Sequence, residues 1–169
     1  MEQQNLYLQF YNNLAQPFRK RKRLVNALIF IEKTLVGVCA FAYLFTVIYA
    51  FSRLEITENT LLRLFGLPAA CLLIVTLLRK LCKRPRPYER GVQPLVEKDG
   101  KANSFPSRHT ACAFVIAATV LPYFPLFGGT LLAVGAWIAF FRFLFGHHYF
   151  SDLLVGAALG ILFGVISWL

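Results

Sequence analysis

Arg142, His148 and Asp152 stand in the stretch FFRFLFGHHYFSD, whose other side chains are mostly hydrocarbon. An arginine at membrane depth costs roughly 2.5–3.5 kcal/mol on insertion scales, so it needs a partner or a task. No acidic residue lies within a turn or two of Arg142 in the sequence. Either the side chain snorkels to a nearby interface, or something anionic comes to meet it. Asp152 follows His148 by four residues, and a helical continuation of the turn would bring carboxylate and ring together. A carboxylate on one imidazole nitrogen fixes the tautomer and makes the other nitrogen a better base or nucleophile. The plainer alternative is that Asp152 caps the helix that follows. His147 has no such carboxylate and reads as structural.

Two further segments carry chemistry. In SFPSRHT, Pro106 and Ser107 make a good helix start, with Ser107 as cap and His109 in the first turn. Free N–H groups at a helix N-terminus suit an anion, although a simple cap beside an interfacial histidine reads equally well. In RKLCKRPRP, the cations Arg79, Lys80, Lys83, Arg84 and Arg86 crowd together. They form either an anchor of snorkelling side chains or, fixed by two prolines, a fork-like phosphate site.

The elements that would position these residues are apolar helices. Of 169 residues, 57% are hydrophobic and 15% charged, against about a quarter charged in a soluble domain. Five stretches meet or approach the roughly 20 apolar residues of a spanning helix: Thr34 to Phe51, Thr60 to Leu78, Thr110 to Leu121, Leu126 to Phe145, and Leu153 to Leu169. The expected fold is all-α, a polytopic transmembrane bundle of about five spans. Ahead of it, Leu6, Phe10, Leu14 and Phe18 recur every fourth residue and lead into the basic run at residues 19 to 23. That predicts an amphipathic interfacial helix with its anchor over residues 1–33, before a membrane domain over 34–169. No secretory signal peptide is expected at the N-terminus. PYFPLFGG is expected to be a tight turn between the third and fourth spans.

Helix parity then places the N-terminus, the long polar loop after the second span and the turn holding His147 and His148 on one side. All three histidines gather there. The basic run beside the N-terminus points that side toward the cytoplasm, while the arginines of a phosphate site would collect on whichever face holds it. The net charge of +10 sits at membrane edges rather than on a soluble face, so anionic lipids or a phosphorylated substrate are expected partners, and nucleic acid is not. The four cysteines have no zinc or disulfide spacing and read as small buried hydrophobes.

Taken together, the three segments resemble the type 2 phosphatidic acid phosphatases, membrane lipid phosphatases related to vanadium haloperoxidases. The resemblance covers Arg79 to Asp152. The family's third motif, Arg, five residues, His, three residues, Asp, is met by Arg142, His148 and Asp152. Its second, Pro-Ser-Gly-His, appears as Pro106-Ser107-Arg108-His109, and its first, Lys, six residues, Arg-Pro, as Arg79, six residues, Arg86-Pro87. Arg79 replaces a lysine, with Lys80 as the rival if the register slips. Arg108 replaces a glycine, and Phe141 replaces the serine usual before the third motif's arginine.

The resemblance implies hydrolysis of a lipid phosphate, with His148 as nucleophile oriented by Asp152, and His109 as general acid and later base. It also implies that Arg79, Arg86, Arg142, Ser107 and the backbone or guanidinium of Arg108 hold the phosphate. It requires neither metal nor other cofactor. Undecaprenyl pyrophosphate, phosphatidic acid and phosphatidylglycerophosphate are the substrates it leaves open, in a bacterial cell membrane. The competing reading is a non-catalytic anion-binding membrane protein or transporter, which needs the arginines but not a carboxylate-oriented histidine.

Overall fold

The computed structural model describes residues 2–53, 57–97 and 103–168. Parts of two expected loops, residues 54–56 and 98–102, lie outside the described residues, as do both terminal residues. Every regular element among the described residues is helical. The order is α1 (Glu2–Arg19), α2 (Lys22–Arg53), the short α3 (Glu58–Leu61), a π-helical turn (Leu62–Gly66), α4 (Leu67–Cys82), a 3₁₀ turn (Pro87–Arg90), α5 (Arg108–Val120), α6 (Pro125–Leu144) and α7 (Phe150–Ile166).

Among the described residues, three helical stretches are long and apolar enough to cross a membrane: Lys22–Arg53, Glu58–Arg90 and Pro125–Leu144. α5 and α7 are apolar but shorter. Of these, α5 forms the middle of the bundle. α5 packs on α7, α6, α4 and α2, and most of its side chains after the first turn are buried or half-buried. Phe41, Leu73, Leu77, Trp137 and Leu162, on the surrounding helices, are exposed. Without a hydrophobic drive between helices in lipid, close backbone packing has to supply association. Gly156, Gly160 and Gly164, at every fourth residue of α7, do this. A Cβ on Gly156 would lie 2.7 Å from the Ser107 carbonyl oxygen, and one on Gly160 2.6 Å from that of Ala111. A Cβ on Gly164 would overlap Ala118.

The turn before α6 is tighter than PYFPLFGG suggested. Pro125 opens the helix, and Gly128 and Gly129 lie inside it. Gly128 is needed for closeness rather than for breaking the helix, since a Cβ there would come within 2.5 Å of Leu121 Cα.

α1 carries two faces. Leu6 and Phe10 of the expected apolar stripe are exposed, as a lipid-facing surface requires. Tyr11 and Ala15 are fully buried on the other side, against Val92. The Tyr11 hydroxyl donates to the Leu144 carbonyl at 2.9 Å and accepts from the Leu95 amide at 3.2 Å. α1 is thereby fastened to the end of α6. Arg19 closes the same corner through the Gln93 carbonyl, 3.1 Å away.

Candidate active site

α6 stops at Leu144, and Gly146 turns the chain with φ +79°, leaving His147, His148 and Tyr149 in a short bridge to α7. Asp152 sits in the first turn of α7, fully buried, and four groups converge on its carboxylate. Oδ2 lies 3.6 Å from His148 Nδ1, accepts the Tyr149 amide at 2.9 Å and accepts the Ser104 hydroxyl. Oδ1 takes Arg84 at 2.7 Å. The two readings of Asp152 therefore hold together, because one carboxylate caps α7 and faces the histidine. A ring whose Nδ1 faces a carboxylate presents Nε2 as its free nitrogen.

His148 is 3% exposed. Its ring is held below the usual histidine range, chiefly by burial and also by the cations Arg86 and Arg79, while the Asp152 carboxylate pulls the other way. The net direction keeps the imidazole neutral near pH 7, which is the form able to attack phosphorus.

The second segment is tied to the third through backbone. Ser107 N donates to the Asp152 carbonyl at 2.9 Å. The Ser107 hydroxyl caps α5, accepting from the Thr110 amide at 3.5 Å and its hydroxyl at 3.0 Å. Arg79, at the end of α4, points inward, whereas Lys80 is exposed. Its guanidinium donates to the carbonyls of Pro106 (3.0 Å), Ser104 (3.3 Å) and Asn103. It braces the loop ahead of α5 from behind and adds positive charge beside His148. Arg86 is 4% exposed and stands close enough to His148, Arg79 and Arg142 to act on all three electrostatically.

Arg142 finds its anion on another helix. Glu32 of α2 meets it at 2.6 Å, both side chains being largely buried. The sequence around Arg142 held no sign of this, because the partner is more than a hundred residues away.

Arg108 and His109 occupy the exposed first turn of α5. Both line a cavity of about 470 Å³ that continues between α2, α4, α5 and α6 past Val36, Ala40, Leu72, Thr76 and Ile116. Apart from Arg108, His109 and Thr76, its lining side chains carry no polar oxygen or nitrogen. His147 turns away from the knot around Asp152, with Nε2 3.1 Å from the Val96 carbonyl.

Two members of the knot were absent from the sequence-derived site. Ser104 is fully buried against Asp152 and 3.5 Å from His148 Nδ1. Arg84 bonds Asp152, reaches the Ser151 hydroxyl at 2.8 Å and stacks 4.2 Å over the Tyr149 ring. Both lie inside the segments singled out above, and only the fold distinguishes them from their neighbours.

The order and spacing of these three segments, brought to one place by α4, α5 and α7, agree with a comparison against known families: the sequence pattern of the PAP2 superfamily matches residues 60–169. The chain belongs to the PAP2 superfamily. Among curated PAP2 relatives, the Lipid A 1-phosphatase of Rhizobium etli is 29% identical over 100 residues, covering 56% of this chain and 43% of that protein. Its counterpart from Rhizobium johnstonii is 28% identical over 100 residues and is covered to 41%. The chain thus spans under half the length of the curated relatives it matches. Among solved structures, Aquifex aeolicus LpxE superposes with a TM-score of 0.71 at 25% identity, covering 95% of this chain and 93% of that one. A transmembrane PAP2 type phosphatidylglycerolphosphate phosphatase from Bacillus subtilis shares the fold, with a TM-score of 0.54 at 21% identity and coverage of 99% and 95%.

Proposed function

We propose that this protein is a multi-pass lipid phosphate phosphatase of a bacterial cell membrane, working through a phosphohistidine. The observation that carries the reading is the knot of His148, Asp152, Ser104 and Arg84, set among arginines. An anion-binding protein has use for the cations but none for a neutral, carboxylate-faced histidine. The second observation is the apolar cavity below Arg108 and His109, which suits a hydrocarbon chain attached to the phosphate. The names of the PAP2 relatives, phosphatases of lipid A and of phosphatidylglycerolphosphate, agree with that substrate class.

In the proposed reaction, His148 Nε2 attacks phosphorus and the bond to the lipid oxygen breaks. His109 gives that oxygen its proton. Water activated by His109 then attacks the phosphohistidine, releasing inorganic phosphate and restoring the imidazole. Arg86, Arg142, Arg108 and the Ser107 hydroxyl hold the phosphate oxygens, with Arg79 adding charge from behind the loop. Fixed cations offset the charge that develops in the transition state. Residues 1–33 act as the interfacial anchor, with the N-terminus and the site on one face of the membrane.

The test is phosphate release by purified protein in detergent with excess EDTA. The panel is phosphatidic acid, phosphatidylglycerophosphate, lipid A and undecaprenyl pyrophosphate, each with wild type and His148→Ala. Metal-independent release from at least one lipid that disappears in the variant is expected. Phosphate binding with no release from any of the four would favour the non-catalytic reading.

A further inference from the structure

The PAP2 match begins at residue 60, so α1 and α2 lie outside it. One residue of α2 nonetheless reaches the site. Glu32 is 5% exposed and contacts Arg142 Nη2 through Oε1 at 2.6 Å. A buried carboxylate without a cation is unstable in such surroundings, and a buried arginine beside Arg86 has the converse problem. Each answers the other's charge.

The contact is one-sided. Arg142 Nε is buried and has no hydrogen-bond partner among the described residues. Glu32 therefore holds one corner of the guanidinium while another donor is left over. A phosphate oxygen is the acceptor that such a donor suits, since guanidinium and phosphate pair through charge-assisted hydrogen bonds.

Resting on the phosphatase reading above, we infer that Glu32 is a positioning residue. It fixes Arg142 through one corner of its guanidinium and sets how tightly the site holds phosphate. The carboxylate does not touch the reacting atoms and acts only through the arginine. Without it, Arg142 keeps its charge but loses the anchor that aims it, and like-charge repulsion from Arg86 is no longer offset.

The measurement is the dissociation constant for inorganic phosphate, by equilibrium dialysis of the purified full chain in detergent, so that it can be read whether or not turnover occurs. The proteins are wild type, Glu32→Ala, Glu32→Gln, Arg142→Gln and the double Glu32→Gln/Arg142→Gln. Glu32→Ala weakens phosphate binding about fivefold or more, and Glu32→Gln, which keeps a neutral acceptor, about two- to threefold. The double variant binds no more weakly than Arg142→Gln alone, because Glu32 has nothing left to act through. If Glu32→Ala misfolds, Glu32→Gln with its cycle still decides. Unchanged binding in the Glu32 variants, or a loss of the same size after Arg142 is replaced, overturns the inference. Wild type that binds phosphate with this dependence but releases none from any lipid leaves Glu32 in its role and removes the phosphatase reading instead.

Discussion

At the scale of single residues, His148 is governed by two opposed influences. Burial, Arg86 and Arg79 push its proton off, and Asp152 holds it on. The balance is downward from the ordinary histidine value of about 6.5. For a nucleophile that works unprotonated, the acid limb of kcat/KM then falls below that value, and activity persists into mildly acidic solution. Replacing Arg86 with Gln removes one downward influence, so the acid limb moves up toward 6.5 while kcat/KM also drops from lost phosphate contact. A pH–rate profile of wild type and Arg86→Gln checks both the direction and the sign. A limb that stays in place in the variant would mean that Arg86 does not act on His148. Ser104 adds a second check on the same knot. Its hydroxyl joins Asp152 beside the ring, so Ser104→Ala is expected to lower kcat about tenfold or more, in the range of a lost orienting group, with little change in substrate KM.

At the scale of elements, the pairing of α5 with α7 decides whether there is a site at all. Asp152 opens α7, Ser107 caps α5, and the bond between Ser107 N and the Asp152 carbonyl joins the two helices at their beginnings. That bond exists only because Gly156 and Gly160 let the helix backbones approach so closely. Gly160→Leu would drive its side chain into the Ala111 carbonyl and separate the pair, a strain of about 1–3 kcal/mol or more. The expected result is a lowered thermal midpoint in detergent and loss of phosphate release. Gly37→Leu is the control, since a Cβ there meets nothing within 4 Å. Its midpoint and activity are expected to stay near wild type. Equal tolerance at both positions would show that close packing does not hold the site together.

At the scale of the whole molecule, the fold leaves a mostly apolar cavity between α2, α4, α5 and α6, with Arg108 and His109 in its wall. Val36, Ala40 and Leu72 belong to helices that face lipid. A substrate entering sideways would keep its chain among hydrocarbon while its phosphate meets the arginines. Filling the cavity tests this: Ala40→Trp is expected to raise KM for a long-chain phosphatidic acid about fivefold or more, because the chain loses buried contact area. Hydrolysis of a dihexanoyl analogue should change less than twofold. Equal effects on both substrates would place the chain elsewhere.

The sequence by itself determined the helical class, because long apolar runs with few charges leave the backbone no other way to satisfy its hydrogen bonds in lipid. It also marked the three candidate segments, since motif spacing is a local property: Arg142, His148 and Asp152 needed only counting. The glycines of α7 recur every fourth residue, and only the fold shows that they face α5. Glu32 fell in the expected interfacial segment, ahead of the first expected span, with no role attached. Its pairing with Arg142, the selection of Ser104 and Arg84 from among similar neighbours, the inward turn of Arg79 rather than Lys80, and the docking of Tyr11 under Leu144 were decided by tertiary structure alone. The physical reason is common to all of them. A buried polar group must find its partner in space, and the helices that bring the partners together are packed by contacts between residues far apart in the chain.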